Sequence, residues 1–296
     1  MNILRKLYGD FITVKNYLEV EKRILNLPKE TVYDPSKEMD LDVYGDLKTA
    51  KKIVILSHTF SGNSDHFMNV YLAERFHLHG YTVVAFNSPG FRNIVTDEPF
   101  TSEKKSMIRL SFVLDNILEY IRQENSSAPV IASAFSAGGR YILEHFITHQ
   151  RDIAGVVIIA PFYYNPRKIV FLHYPTGFDL FLLFGKNFVL KKNIKKLLKL
   201  LHVGLDIRRL QRINGDEKCV NGKFNMTNTP VVGLHCENDT VNYIEDARIY
   251  FKRMNSPIAK LIKFSGQGHS LTYSIVGTCI EQSDILCEEW AKAKND

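Results

Sequence analysis

A chain of 296 residues, 45% hydrophobic and 24% charged, has room for one large α/β domain or two small ones and can bury a sizeable core. The net charge of +6 is mild, no apolar run reaches membrane-spanning length and no basic, aromatic stripe stands out. A membrane-spanning class and a nucleic-acid partner are therefore set aside.

Cys219, Cys236, Cys279 and Cys287 are too sparse for a disulfide scaffold and lack C-x-x-C spacing. No ligand cluster supports a metal site, and no cofactor is expected. Met1-Asn-Ile-Leu-Arg-Lys-Leu-Tyr8 carries no continuous apolar stretch or small-residue cleavage site. A reduced, cytoplasmic protein is the simplest expectation.

Phe11, Val14, Tyr17, Leu18 and Val20 give residues 1 to about 30 the apolar face of an amphipathic helix, closed by Pro28. Residues 31–50 are polar with weak alternation and read as an edge strand or hairpin. From Lys52 onward apolar runs alternate with helical spacing. Ile53–Ser57 is a short buried strand, followed by a helix from about Asp65 to His79 that Gly80 ends. Thr82–Asn87 is a second strand, and Met107, Leu110, Leu114, Ile117, Leu118 and Ile121 mark the next helix. Val130–Phe135 and Gly155–Ala160 are two further strands, with a helix starting at Ser136 between them. Runs this apolar belong to a parallel sheet covered on both faces.

Residues 162–228 break that rhythm with an aromatic block, Phe162–Leu190, and a basic amphipathic run, Lys191–Lys199. Strand–helix alternation then resumes with Val231–His235, a helix from about Tyr243, the strand Ala259–Phe264 and a terminal helix to about Lys294. The expected organisation is an N-terminal helix and edge segment (1–50), the first part of an α/β core (51–161), an inserted helical cap (162–228) and the second part of the core (229–296).

The chemistry centres on Pro129-Val-Ile-Ala-Ser-Ala-Phe-Ser136-Ala-Gly-Gly139. A serine between strand and helix, with Ala134 and Gly138 two residues to either side, fits the nucleophile-elbow pattern G-x-S-x-G with a small residue replacing the first glycine. Small flanks let a strained turn hold the hydroxyl out at the carboxyl edge of the sheet, where helix N-terminal amides converge. Serine chemistry also needs a base and a carboxylate to orient it, and behind a nucleophile elbow of this kind the chain order is Ser, then Asp or Glu, then His. Of ten histidines only His269 follows the acid candidates, in the glycine loop Phe264-Ser-Gly-Gln-Gly-His269-Ser. Asp239, on the loop after Val231–His235, is the preferred acid and Glu237 the alternative. His235 reads as packing or support. The oxyanion would be met by the backbone N–H of Ala137 and by that of Phe60 or Thr59.

With these motifs assembled, residues 50–290 resemble the α/β-hydrolase superfamily. His58-Thr-Phe-Ser-Gly62-Asn is similar to its H-G-x-x-G loop and Asn87-Ser-Pro-Gly90 to its D-x-x-G turn. The loop, the central cap and the G-x-G-H-S ending resemble the acylglycerol lipase and serine-aminopeptidase-like branch of carboxylic ester hydrolases. The resemblance implies an α/β-hydrolase fold, a mostly parallel sheet under helices on both faces with an inserted cap. It further implies Ser136 as nucleophile, Asp239 as acid, His269 as base, and the amides of Phe60 and Ala137 as oxyanion donors. Thr59 and Ala134 depart from the family's glycines, and the Thr59 side chain restricts the oxyanion loop.

The cap holds the only clue to substrate. Its aromatic and leucine side chains either line an acyl pocket or pack the cap onto the sheet, and Thr59, Phe162 and Tyr163 are the substrate-binding candidates. The basic run Lys191–Lys199 either meets an acyl carrier or an anionic membrane surface, or is a solvated face. Three functions stay open: a serine hydrolase of a medium- or long-chain carboxylic ester or thioester; an acyltransferase, peptidase or amidase on the same residues; or a non-catalytic binding protein that keeps the fold.

Overall fold

The computed structural model describes residues 12, 15, 27–58, 64–87, 103–148, 152–161, 228–239, 242–254 and 258–295. The expected N-terminal helix falls largely outside these residues, although Ile12 and Lys15 are both helical, and the expected cap lies outside them except for its last residue, Asn228.

Among the described residues the strands and helices are, in chain order, β1 (Glu30–Asp34), β2 (Met39–Tyr44), β3 (Ile53–Ser57), α1 (Phe67–Leu78), β4 (Thr82–Phe86), α2 (Glu103–Glu124), β5 (Val130–Phe135), α3 (Ala137–Thr148), β6 (Gly155–Ile159), β7 (Val231–Cys236), α4 (Ile244–Arg253), β8 (Ala259–Phe264) and α5 (Tyr273–Asn295). They form one 8-stranded sheet in the order β1-β2-β4-β3-β5-β6-β7-β8. β1 and β2 are an antiparallel hairpin, β2 runs antiparallel to β4, and every later pairing is parallel. Strands on either side of residues 162–227 thus share the sheet, with β6 hydrogen-bonded to β7. The architecture is the α/β-hydrolase fold that the resemblance implied, built on the parallel sheet that the apolar strand runs led us to expect.

The continuous apolar runs are explained by two cores, one on each face. Val54 and Leu56 of β3 join α1 and α5 residues such as Tyr71, Phe76, Ile275 and Cys279. Ile53 and Ile55, which point the other way, join Leu114, Ile117, Ile142, Phe146 and Phe251 from α2, α3 and α4. Successive side chains of a strand alternate between faces, so a strand covered on both sides needs apolar residues throughout.

The hairpin is one of the two forms expected of residues 31–50, although its second strand is far more buried than their polarity suggests. β2 is buried along its whole length although Asp40 and Asp42 interrupt it. Its alternation of acid and aliphatic residues is that of an exposed edge strand, but hydrogen bonds rather than water satisfy the carboxylate of Asp42. Thr31 donates to it at 3.0 Å, Lys29 at 2.9 Å, and the Ser64 hydroxyl donates as well.

The chain leaves β3 for β4 on one side and then crosses to β5 on the other. The sheet order therefore reverses between β3 and β5, and a crevice at the carboxyl ends of strands there is where open α/β sheets keep their sites.

Candidate active site

Ser136 stands at that reversal, one residue past β5. The helix begins at Ala137 rather than at Ser136, and Ser136 itself takes a left-handed conformation with φ of 59°. For a non-glycine residue this costs about 1–2 kcal/mol, and neighbouring bonds hold it there. The Ser136 N–H donates to the Ile159 carbonyl of β6 at 2.9 Å, and its carbonyl accepts the Gly139 N–H at 3.1 Å. Gly138 explains the small flank. A Cβ there would lie 2.3 Å from the His58 carbonyl oxygen and 2.9 Å from Ser57 Oγ, so the new helix packs on the end of β3 without room for a side chain. Ala134 is completely buried in the same region.

Asp239 follows β7 and His269 follows β8, in the loop that contains Gly266 with φ of 71°. Both side chains are almost wholly buried, and the two meet with His269 Nδ1 2.7 Å from Asp239 Oδ2. The other ring nitrogen, Nε2, lies 3.0 Å from Ser136 Oγ. A carboxylate only accepts, so neutral His269 carries its hydrogen on Nδ1 and presents the Nε2 lone pair to the serine hydroxyl. The imidazole also lies against Phe135, ring centroids 4.8 Å apart at 32°, which restrains its rotation. The Asn242 N–H donates to Asp239 Oδ1 at 2.8 Å, so both carboxylate oxygens are engaged.

The structure thus brings Ser136, Asp239 and His269 into one hydrogen-bonded series, residues that lie 30 and 133 positions apart in the sequence. Glu237, the alternative acid, points elsewhere. It accepts a hydrogen bond from Ser265 Oγ at 2.9 Å and lies 4.0 Å from Arg248 on α4. His235 packs behind Asp239, with Nε2 3.8 Å from Asp239 Oδ2. Burial lowers its pKa, so the ring is neutral and the contact is not an ion pair.

The Ala137 backbone is the first residue of α3, where helix amides have no partner within the helix. Thr59, Phe60, Phe162 and Tyr163 lie outside the described residues. What can be seen is the foot of the loop that contains Phe60. Ser64 N–H donates to Asn87 Oδ1 at 2.8 Å and Asn87 Nδ2 donates back to Ser64 Oγ at 3.0 Å. Sequence reasoning placed Asn87 in a turn motif but missed this clamp, and it missed Asn242 altogether. The three-residue spacing from Asp239 to Asn242 is the one available signal, since an Asp commonly accepts an N–H a few residues on.

Burial raises the thiol pKa of Cys279 to about 12 and of Cys287 to about 11, and raises that of Cys236 as well. None of the three presents a thiolate at neutral pH. Among the described residues, no group of three or more His, Cys, Asp or Glu side chains is arranged to hold a metal ion, and no helix is long and apolar enough to cross a membrane.

Residues 48–227 match the family model described as serine aminopeptidase, S33. No curated protein matches the chain in sequence. Among solved structures, a soluble variant of monoglyceride lipase from Saccharomyces cerevisiae, in complex with a substrate analogue, is similar at 17% identity with a TM-score of 0.60, covering 92% of this chain and 97% of that one. A monoacylglycerol lipase from Paleococcus ferrophilus is similar at 18% identity with a TM-score of 0.57, covering 85% and 99%. An esterase from Pyrococcus furiosus is similar at 13% identity with a TM-score of 0.58, covering 90% and 91%. At these identities the likeness is one of fold.

Proposed function

The chain belongs to the serine aminopeptidase S33 family of α/β-hydrolases, and from that premise we propose that it is a serine hydrolase that cleaves a carboxylic ester or thioester through Ser136, His269 and Asp239. The observation that carries this is the hydrogen-bonded series itself: Nε2 of His269 is 3.0 Å from a serine oxygen held at positive φ, and Nδ1 is 2.7 Å from a buried carboxylate. An ordinary helix-capping serine needs neither the strain nor a histidine.

Ser136 Oγ attacks the carbonyl carbon while His269 Nε2 takes its proton. Asp239 stabilises the imidazolium so formed and keeps its ring in register. The carbonyl oxygen becomes an oxyanion that the N–H groups of Ala137 and Phe60 meet. Collapse breaks the bond to the alcohol or thiol, which leaves with the proton from His269, and an acyl group remains on Ser136. Water, deprotonated by the same nitrogen, then releases the acid and restores the serine.

An acyl ester of medium or long chain is the substrate class we favour. The lipases and the esterase among the similar structures act on esters, and the aromatic block Phe162–Leu190 has the composition of an acyl pocket. Thr59, Phe162 and Tyr163 are assigned to that pocket, and the basic run Lys191–Lys199 to contact with an acyl carrier or membrane surface at a cytoplasmic location. A panel of p-nitrophenyl esters from acetyl to palmitoyl, run beside amino-acid p-nitroanilides and with an added alcohol acceptor, tests these assignments. Preferential turnover of the octanoyl or longer esters, with water as acceptor, is the expected result. Faster cleavage of the anilides would replace the ester reading with a peptidase one.

A further inference from the structure

Asn242 makes more hydrogen bonds than its turn requires. Its N–H donates to Asp239 Oδ1 at 2.8 Å, and that bond alone closes the turn. Its side chain reaches across to the neighbouring strand, Nδ2 donating to the Ala160 carbonyl oxygen at 2.7 Å. Its own carbonyl oxygen lies 2.8 Å from His235 Nε2. The His235 contact with Asp239, at 3.8 Å, is too long for a hydrogen bond, so the Nε2 hydrogen goes to Asn242.

Ala160 is itself an unusual anchor. It follows β6 with φ of 43°, and its N–H donates to the Leu234 carbonyl of β7 at 2.7 Å. Its predecessor Ile159 accepts the N–H of Ser136 at 2.9 Å. A short frame therefore runs from Asp239 through Asn242 to Ala160 and Ile159, and from there to Ser136, without passing through His269. All its members except Ser136 are buried.

Resting on the triad reading above, we propose that Asn242 and His235 are positioning residues: they fix the acid loop against the end of β6 and so set the separation of Asp239 and Ser136 that His269 must bridge. Neither residue touches the reacting atoms. Their effect reaches the chemistry through the two hydrogen bonds of His269, 2.7 Å and 3.0 Å, which a shift of the acid loop cannot keep together. A misplacement of about 1 Å at a reacting group costs on the order of a hundredfold in rate.

The test is steady-state ester turnover by wild type, Asn242→Ala, His235→Gln, His235→Leu and Ser136→Ala, with the unfolding midpoint of each. Asn242→Ala keeps the N–H on Asp239 and loses only the tie to Ala160. We expect kcat to fall about tenfold to a hundredfold with KM within about twofold of wild type. His235→Gln, which keeps a donor for the Asn242 carbonyl, should recover most of what His235→Leu loses. A folded Asn242→Ala with wild-type kcat overturns the brace while Ser136-dependent turnover still stands. Equal losses in His235→Gln and His235→Leu also overturn it, and this pair decides the matter should Asn242→Ala fail to fold. Wild-type turnover that Ser136→Ala does not remove would overturn the triad reading, and the brace with it.

Discussion

Two buried carboxylates, Asp239 after β7 and Asp42 within β2, are alike in burial and in hydrogen bonding at both oxygens, although a lysine is among the donors to Asp42. Both side chains are fully withdrawn from water, and each accepts hydrogen bonds on both oxygens. They differ in what lies beyond the donors. Beyond Asp42, the Ser64 hydroxyl accepts from Asn87 Nδ2 and Asn87 Oδ1 accepts the Ser64 N–H, while Lys29 also pairs with Asp65. Beyond Asp239, His269 passes the connection to the hydroxyl of half-buried Ser136, at the sheet's carboxyl edge. Burial and a full set of donors therefore do not mark a catalytic carboxylate. What sets Asp239 apart is a histidine between it and a serine hydroxyl.

The sharpest way to break the comparison is to neutralise each carboxylate in turn. Asp239→Asn should lower kcat by about 10³–10⁴-fold, because an amide at that position favours the wrong histidine tautomer, while the urea midpoint stays near wild type. Glu237→Gln, measured beside it, should leave turnover within about twofold, since that side chain is held by Ser265 and not by His269. A large loss in Glu237→Gln would move the acid to Glu237. Asp42→Asn should do the converse. It removes the charge that Lys29 and two hydroxyls are bonded to, and we expect about 2–4 kcal/mol of lost stability in urea unfolding, with kcat/KM of the folded protein within about tenfold of wild type. A stable but inactive Asp42→Asn would show that the two carboxylates share a role. The smallest effect concerns strain at Ser136. Ser136→Gly relieves the positive φ that Ser136→Ala retains, and should be more stable than the alanine variant by about 1 kcal/mol in the same unfolding assay.

The same contrast explains what could be read from sequence. Ser136 and Asp239 follow strongly apolar strands and His269 a strand with two lysines among its apolar residues, so their common position at one edge of the sheet was legible once the strands were, and the expected order selected His269 from ten histidines. Both faces of the sheet carry helices, so β3, β4, β5 and β6 advertised themselves as unbroken apolar runs. β2 did not. Its burial depends on partners at residues 29, 31 and 64, and a strand whose polar residues are satisfied by distant side chains has the period of an exposed one. Asn242 was invisible for a related reason, because its side-chain partner is a backbone carbonyl 82 positions earlier. The positive φ of Ser136 was legible only indirectly, through the small residues that surround it.

The central claim is that Ser136 is an activated nucleophile, and labelling by a fluorophosphonate probe tests it most directly, wild type beside Ser136→Ala and His269→Ala. We predict rapid labelling of the wild type, none of Ser136→Ala, and labelling slowed by at least about a thousandfold in His269→Ala. Labelling that persists in folded Ser136→Ala, or a folded wild-type protein that does not react at all, would contradict the account.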